Sequence, residues 1–61
     1  RRRPVTVGPN RVLGEEAVVR TPGQVFVAGE LWRAHRDDGA ALVPGEHVRV
    51  TAVHGLELVV E

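Results

Sequence analysis

Sixty-one residues make one small domain, and a chain of this length buries only ~60% of the surface its unfolded form exposes. The sequence contains no Cys, Ser, Lys, Tyr or Met, which excludes disulfides, thiolate metal sites, the common activated nucleophiles and Schiff-base chemistry. Eight arginines balance eight acids, so the chain lacks the basic excess on which phosphate-driven nucleic-acid binding rests. Without lysine it cannot be a biotinyl or lipoyl carrier either, since those cofactors are attached to that residue. No apolar run approaches the ~20 residues needed to span a bilayer.

Basic charge concentrates in Arg1-Arg2-Arg3. Such a run is a solvated arm or linker, or the cytoplasmic flank of a membrane helix lying upstream. Residues 1–11 are accordingly an N-terminal arm or linker, and 12–61 the folded domain. Beyond the arm, turn signals recur at short intervals: Gly8-Pro9-Asn10, Pro22-Gly23, Ala28-Gly29, Asp37-Asp38-Gly39, Pro44-Gly45 and His54-Gly55. The segments between them are valine-rich and mostly too short for stable helices. Strands are predicted at about 14–20, 24–28, 30–36, 46–53 and 56–60. Gly39 and Pro44 leave room for at most one helical turn, over 38–43. The fold class is all-β, and a five-stranded sheet closed into a small barrel is a solution that leaves few edges.

Alternation predicts which side chains face the core. In the 24–36 hairpin, a two-residue Ala28-Gly29 turn places Val25 and Val27 with Trp32 and Ala34 inside, and leaves Phe26 and Leu31 adjacent outside. A three-residue turn would instead pair Val25 with Leu31, and the first is favoured because it makes a core layer of mixed sizes. In the last hairpin, Val48, Val50 and Ala52 alternate with Arg49 and Thr51, and Leu56, Leu58 and Val60 oppose Glu57. A three-residue loop, Val53-His54-Gly55, pairs Ala52 with Leu56, Val50 with Leu58 and Val48 with Val60. A one-residue slip would turn every side chain over, so the pattern favours that loop.

Candidate chemistry is sparse. His35, His47 and His54 show no i, i+2 or i, i+4 pairing, and a zinc site needs three or four convergent ligands; they are expected to be solvated, with no metal bound. Glu15 and Glu16 point to opposite faces of a strand and cannot act as a carboxylate pair. Asp37-Asp38-Gly39 is a turn whose acids bond nearby backbone amides. No catalytic residue and no cofactor is expected. Single-strand binding by a barrel needs aromatic platforms along a basic groove. The chain has one Phe and one Trp, with Trp32 committed to the core. Arg33 and Arg49 could line a surface, but Glu30, Glu46 and Glu57 are interspersed with them. Two adjacent apolar side chains on a barrel wall can seed a contact. Phe26 and Leu31, with Arg33, therefore form the candidate partner surface, unless residues 1–11 fold back over them.

Residues 12–61 resemble the C-terminal soluble domain of the NfeD-like family. The matching elements are Val12-Leu13-Gly14, Pro22-Gly23, Gly29-Glu30-Leu31-Trp32-Arg33-Ala34, Pro44-Gly45 leading into Val48-Arg49-Val50, and the terminal Val53-His54-Gly55-Leu56-Glu57-Leu58-Val59-Val60. The stretch Arg20-Thr21-Pro22-Gly23 is shorter than the family's, and Ala17 stands where a glycine is expected. The resemblance implies an OB-fold-like barrel whose helix between strands is lost or reduced to one turn. It implies a protein-interaction module without catalytic activity: the cytoplasmic, soluble domain of a membrane protein, tethered by an upstream segment. Its implied partner is a stomatin- or flotillin-type membrane protein, with a link to regulation of membrane protease activity; homo-oligomerisation is left open. Longer family members carry a serine protease domain, and that activity does not transfer to a chain without serine. The alternative is a nucleic-acid- or ribosome-binding barrel of the OB or SH3-like kind. Gly45-Glu46-His47-Val48-Arg49-Val50 followed by His54-Gly55 resembles a KOW-type element, though the neutral charge disfavours nucleic acid.

Overall fold

Short valine-rich segments between turn residues become five strands in the computed structural model, which describes residues 9–61. A 3₁₀ turn over Pro9–Val12 precedes β1 (Glu16–Thr21), β2 (Gln24–Val27), β3 (Glu30–Arg36), β4 (His47–His54) and β5 (Glu57–Val60). The first eight residues of the arm lie outside the described residues, so any cover they give Phe26 and Leu31 does too. The strands pair in the order β1-β2-β3-β5-β4, and β4 returns to β1 to close the barrel. Every pairing is antiparallel except that of β3 with β5. The result is the five-stranded OB-like barrel expected of the sequence.

The inward positions carry Ala17, Val19, Val25, Val27, Ala34, Val48, Val50, Leu58 and Val60, all buried, with Trp32 and Val53 packed against them. Both ends of the barrel need a stopper. Val12, on the 3₁₀ turn just before β1, is buried in the core cluster, and that turn packs on β4. Leu42 fills the same role from loop 37–46, where β3 ends and β4 begins. No helix forms in that loop. The Ala40 N–H bonds Asp38 Oδ1 at 2.9 Å, a side-chain turn of the kind Asp-Asp-Gly favours. Farther on, Val43 N–H donates to Glu46 Oε1 at 3.2 Å, and Arg36 donates to Glu46 Oε2. These bonds hold the loop so that Leu42 can dip inward.

The 24–36 hairpin has the expected register. Val25 pairs with Trp32, Phe26 with Leu31 and Val27 with Glu30 across Ala28-Gly29. Both turn residues have positive φ, 52° and 80°, as a type I′ turn requires.

The last hairpin differs from its expected register. Its turn is the two-residue Gly55-Leu56, with His54 opposite Glu57, Val53 opposite Leu58 and Ala52 opposite Val59. Beyond an irregularity at Thr51, Val50 pairs with Val60. Gly55 alone has positive φ, 64°, the pattern of a type II′ turn whose twist suits a hairpin. The extra residue on β4 reverses its alternation, so Val53 rather than Ala52 turns to the core. Leu56 is released to the tip, 78% exposed. Strict period-two reasoning fails because a bulge breaks the period. A second bulge lies at Arg20 on β1, between the pairs Val19–Val25 and Thr21–Gln24. Bulges bend and twist their strands, as closing a five-stranded sheet demands.

Candidate docking wall

Alternation on β1, β2 and β3 directs Val18, Phe26 and Leu31 outward from the barrel. Val18 pairs with Phe26, and Phe26 with Leu31, so the three form one row running across the strands. Val18 is half-buried, Phe26 is 37% exposed and Leu31 51%. Other large apolar residues are exposed too, but Leu13, Val43 and Leu56 stand singly in turns or loops. Scattered apolar residues are ordinary on a surface, whereas a contiguous row on a flat wall is not.

Two arginines lie along one side of the row, at the level of Gln24. The Arg20 guanidinium stands over the Phe26 ring, 4.7 Å from the centroid. Arg33 lies two residues beyond Leu31 on the same face of β3, across from Gln24. Among the described residues neither arginine has an acid within ion-pair distance. The nearby acids are engaged elsewhere. His47 Nδ1 stands 2.8 Å from Glu16 Oε2, and His35 Nδ1 2.8 Å from Glu57 Oε2. His35 and His47 are exposed, as expected, but each is held by a carboxylate rather than by water alone. Arg49 lies on β4, away from Arg33, and donates to the Gly14 carbonyl at 2.8 Å.

Two open hollows of about 300 and 280 Å³ flank the barrel end near Glu61. The first is lined by Arg36, Asp37, Asp38, Val60 and Glu61, the second by Glu16, His47, Val48, Arg49 and Glu61. Among the described residues no three His, Asp or Glu side chains converge as metal ligands. The Glu46 carboxyl is held below its ordinary range, by the Arg36 guanidinium first and the Val43 amide second. That arrangement ties down a loop and activates nothing. Trp32 packs against the core with its indole N–H buried and unpartnered, so it offers no outward stacking face.

Of the three residues singled out in the sequence, the fold brings Phe26 and Leu31 into direct pairing and places Arg33 beside them on the same face. Val18 and Arg20 complete the wall and were not anticipated. Both were legible as the outward members of Ala17-Val18-Val19-Arg20, where Ala17 and Val19 are the buried ones.

A closed OB-like barrel with an outward apolar wall, and no converging ligand set among the described residues, belongs to the class of small binding modules. The comparisons place it more narrowly. Residues 9–61 match the family model described as the NfeD-like C-terminal, partner-binding domain, and the chain belongs to that family. It is similar to the C-terminal domain of stomatin operon partner protein 1510-C from Pyrococcus horikoshii, with 34% identity and a TM-score of 0.79, covering 90% of this chain and 92% of that one. It is also similar to the soluble domain of a membrane protein implicated in regulation of membrane protease activity from Corynebacterium glutamicum. There the identity is 30% and the TM-score 0.76, over 88% of this chain and 95% of that one. No curated protein sequence matches the chain significantly. Among the described residues no helix is long and apolar enough to cross a membrane.

Proposed function

We propose that this barrel is the non-catalytic docking domain of an NfeD-like membrane protein, holding a stomatin- or flotillin-type protein at the cytoplasmic face. Through that contact it would bear on the activity of a membrane protease. The observation that carries the proposal is the exposed row Val18–Phe26–Leu31 with Arg20 and Arg33 along one side of it, neither in an ion pair among the described residues, on a barrel whose family is a partner-binding domain. The named relatives support the partner class, one as a stomatin operon partner and the other through membrane protease regulation. Catalysis has no support in the side chains: serine, cysteine and lysine are missing from the chain.

The test is capture of a purified stomatin-type protein from the same organism, in a nanodisc, by the immobilised chain. Binding that Leu31→Asp abolishes supports the proposal. Retention of full binding by Leu31→Asp, or no binding by the parent chain, rejects it.

One observation favours a nucleic-acid ligand instead: Phe26 and Arg33 sit on the strand 2–3 face where OB-folds hold single strands. A single exposed aromatic on a chain of zero net charge gives that reading little to bind with. A salt titration with single-stranded DNA separates the two, because phosphate-driven affinity falls steeply with salt.

A further inference from the structure

We propose that the β1–β3 wall receives an acidic amphipathic helix laid across the strands. Its apolar side chains at about i, i+4 and i+7 would rest on Leu31, Phe26 and Val18, with its carboxylates reaching Arg20 and Arg33. The inference rests on the docking role proposed above and specifies the partner's chemistry. Three independent features of the wall lead to it.

The first is closure. Each strand is paired on both sides in the ring β1-β2-β3-β5-β4. A peptide therefore has no long free edge on which to add a strand, which removes the commonest way for a sheet to bind one.

Spacing is the second. Directly opposed residues of antiparallel strands lie about 5 Å apart. The row Val18–Phe26–Leu31 thus advances about 5 Å per side chain, at right angles to the strands. A helix presents one side chain per turn of ~5.4 Å along a face. An extended peptide presents same-face side chains ~6.6 Å apart and falls out of step within two residues.

Charge is the third. Arg20 and Arg33 lie along one side of the row and form no ion pair among the described residues; Glu57, across from Arg33 on β5, is bonded to His35 instead, and Glu16 to His47. A guanidinium held over an aromatic ring still has N–H groups free to meet a carboxylate. The same charges disfavour a second copy docked with the arginines of the two walls face to face.

The test uses a capped helical peptide of Glu, Ala and Leu, about 15 residues long, with leucines at i, i+4 and i+7, and a twin carrying Lys for Glu. Both are titrated into the 61-residue chain while its amide chemical shifts are followed by NMR. The Glu peptide is expected to move the amides of Val18, Arg20, Phe26, Leu31 and Arg33, and to bind about tenfold or more tightly than the Lys twin. The double variant Arg20→Glu/Arg33→Glu, whose fold is checked by its melting curve, should reverse that preference. Equal binding of the two peptides, shifts confined to another wall, or no binding at millimolar peptide overturns the inference. So does occupation of the wall by oligo(dT) or by phosphatidylglycerol vesicles when the Glu peptide does not bind. If the stomatin-type protein still requires Leu31 while the Glu peptide fails, the helix is wrong and the docking role stands; if both fail, both fall.

Discussion

The guanidinium of Arg20 lies 4.7 Å from the centroid of the Phe26 ring, on a wall where that ring is 37% exposed. A cation over an exposed aromatic contributes only ~0.5–1 kcal/mol to stability. The stack therefore does little to hold the barrel together, but it fixes where a positive charge meets an apolar surface.

From this follows a contrast between wall and core. Phe26→Asp should lower stability by about 1–2 kcal/mol, less than a core truncation, because over a third of the residue is already in water. It should nevertheless abolish partner binding. Leu58→Ala, at a side chain with 0% exposure, should cost about 2–5 kcal/mol and leave a chain this small largely unfolded. Urea denaturation of both variants beside a binding assay checks the pair. A sharp loss of stability in Phe26→Asp with binding retained would make Phe26 a core residue.

Ala28 is the one described non-glycine residue with positive φ, at 52°, in the turn that sets the Phe26–Leu31 pairing. Left-handed backbone costs an alanine roughly 1–2 kcal/mol, and Asn-Gly is a preferred type I′ pair. Ala28→Asn should therefore stabilise the barrel by roughly 1 kcal/mol, a rise of about 4–8 °C in melting temperature for a domain of this size. Thermal unfolding followed by circular dichroism measures it, and an unchanged or lower melting temperature would contradict the strain argument.

That hairpin was legible because its turn residues and its alternation agreed: only one register put Val25, Val27, Trp32 and Ala34 together. The last hairpin was not, although its alternation looked cleaner. The bulge at Thr51 inserts a residue that no composition or period announces, and the choice of turn follows from it. The parallel pairing of β3 with β5, which carries the ring from β3 on to β5 and β4, joins segments that no local pattern links. Leu42 was equally hidden, as a plug needs the whole barrel to exist before it has an end to fill.

The difference between two turns gives opposite outcomes for one substitution. A Cβ at Gly23 or at Gly55 would meet nothing within 4 Å, so neither position is crowded. Gly55 has φ +64° and Gly23 has no such constraint. Gly55→Ala should cost roughly 1–2 kcal/mol and loosen the β4–β5 hairpin. Gly23→Ala should be neutral, or stabilising by about 0.4–1 kcal/mol through a less flexible unfolded chain. Paired urea melts distinguish the two, and a similar loss in both would show that space rather than backbone conformation governs these sites.

Acid should loosen loop 37–46 through Glu46. The Arg36 guanidinium, and after it the Val43 amide, hold the Glu46 carboxyl below its ordinary value of 4.5, against a smaller opposing effect of desolvation. A carboxyl with a depressed folded pKa binds protons more readily in the unfolded chain. Its stabilising contribution is therefore full above the unfolded value and is lost as the pH falls through the folded one. Stability should decline below pH 4.5, and Glu46→Gln should flatten its share of that decline while lowering stability at neutral pH. An NMR titration of the side-chain carboxyls should find Glu46 protonating at lower pH than an ordinary glutamate. Arg36→Ala should return it toward the ordinary value and speed amide exchange at Val43, whose N–H depends on the same carboxylate. An unshifted Glu46 in the parent chain, or one indifferent to Arg36→Ala, would mean that the guanidinium does not hold the loop that seats Leu42.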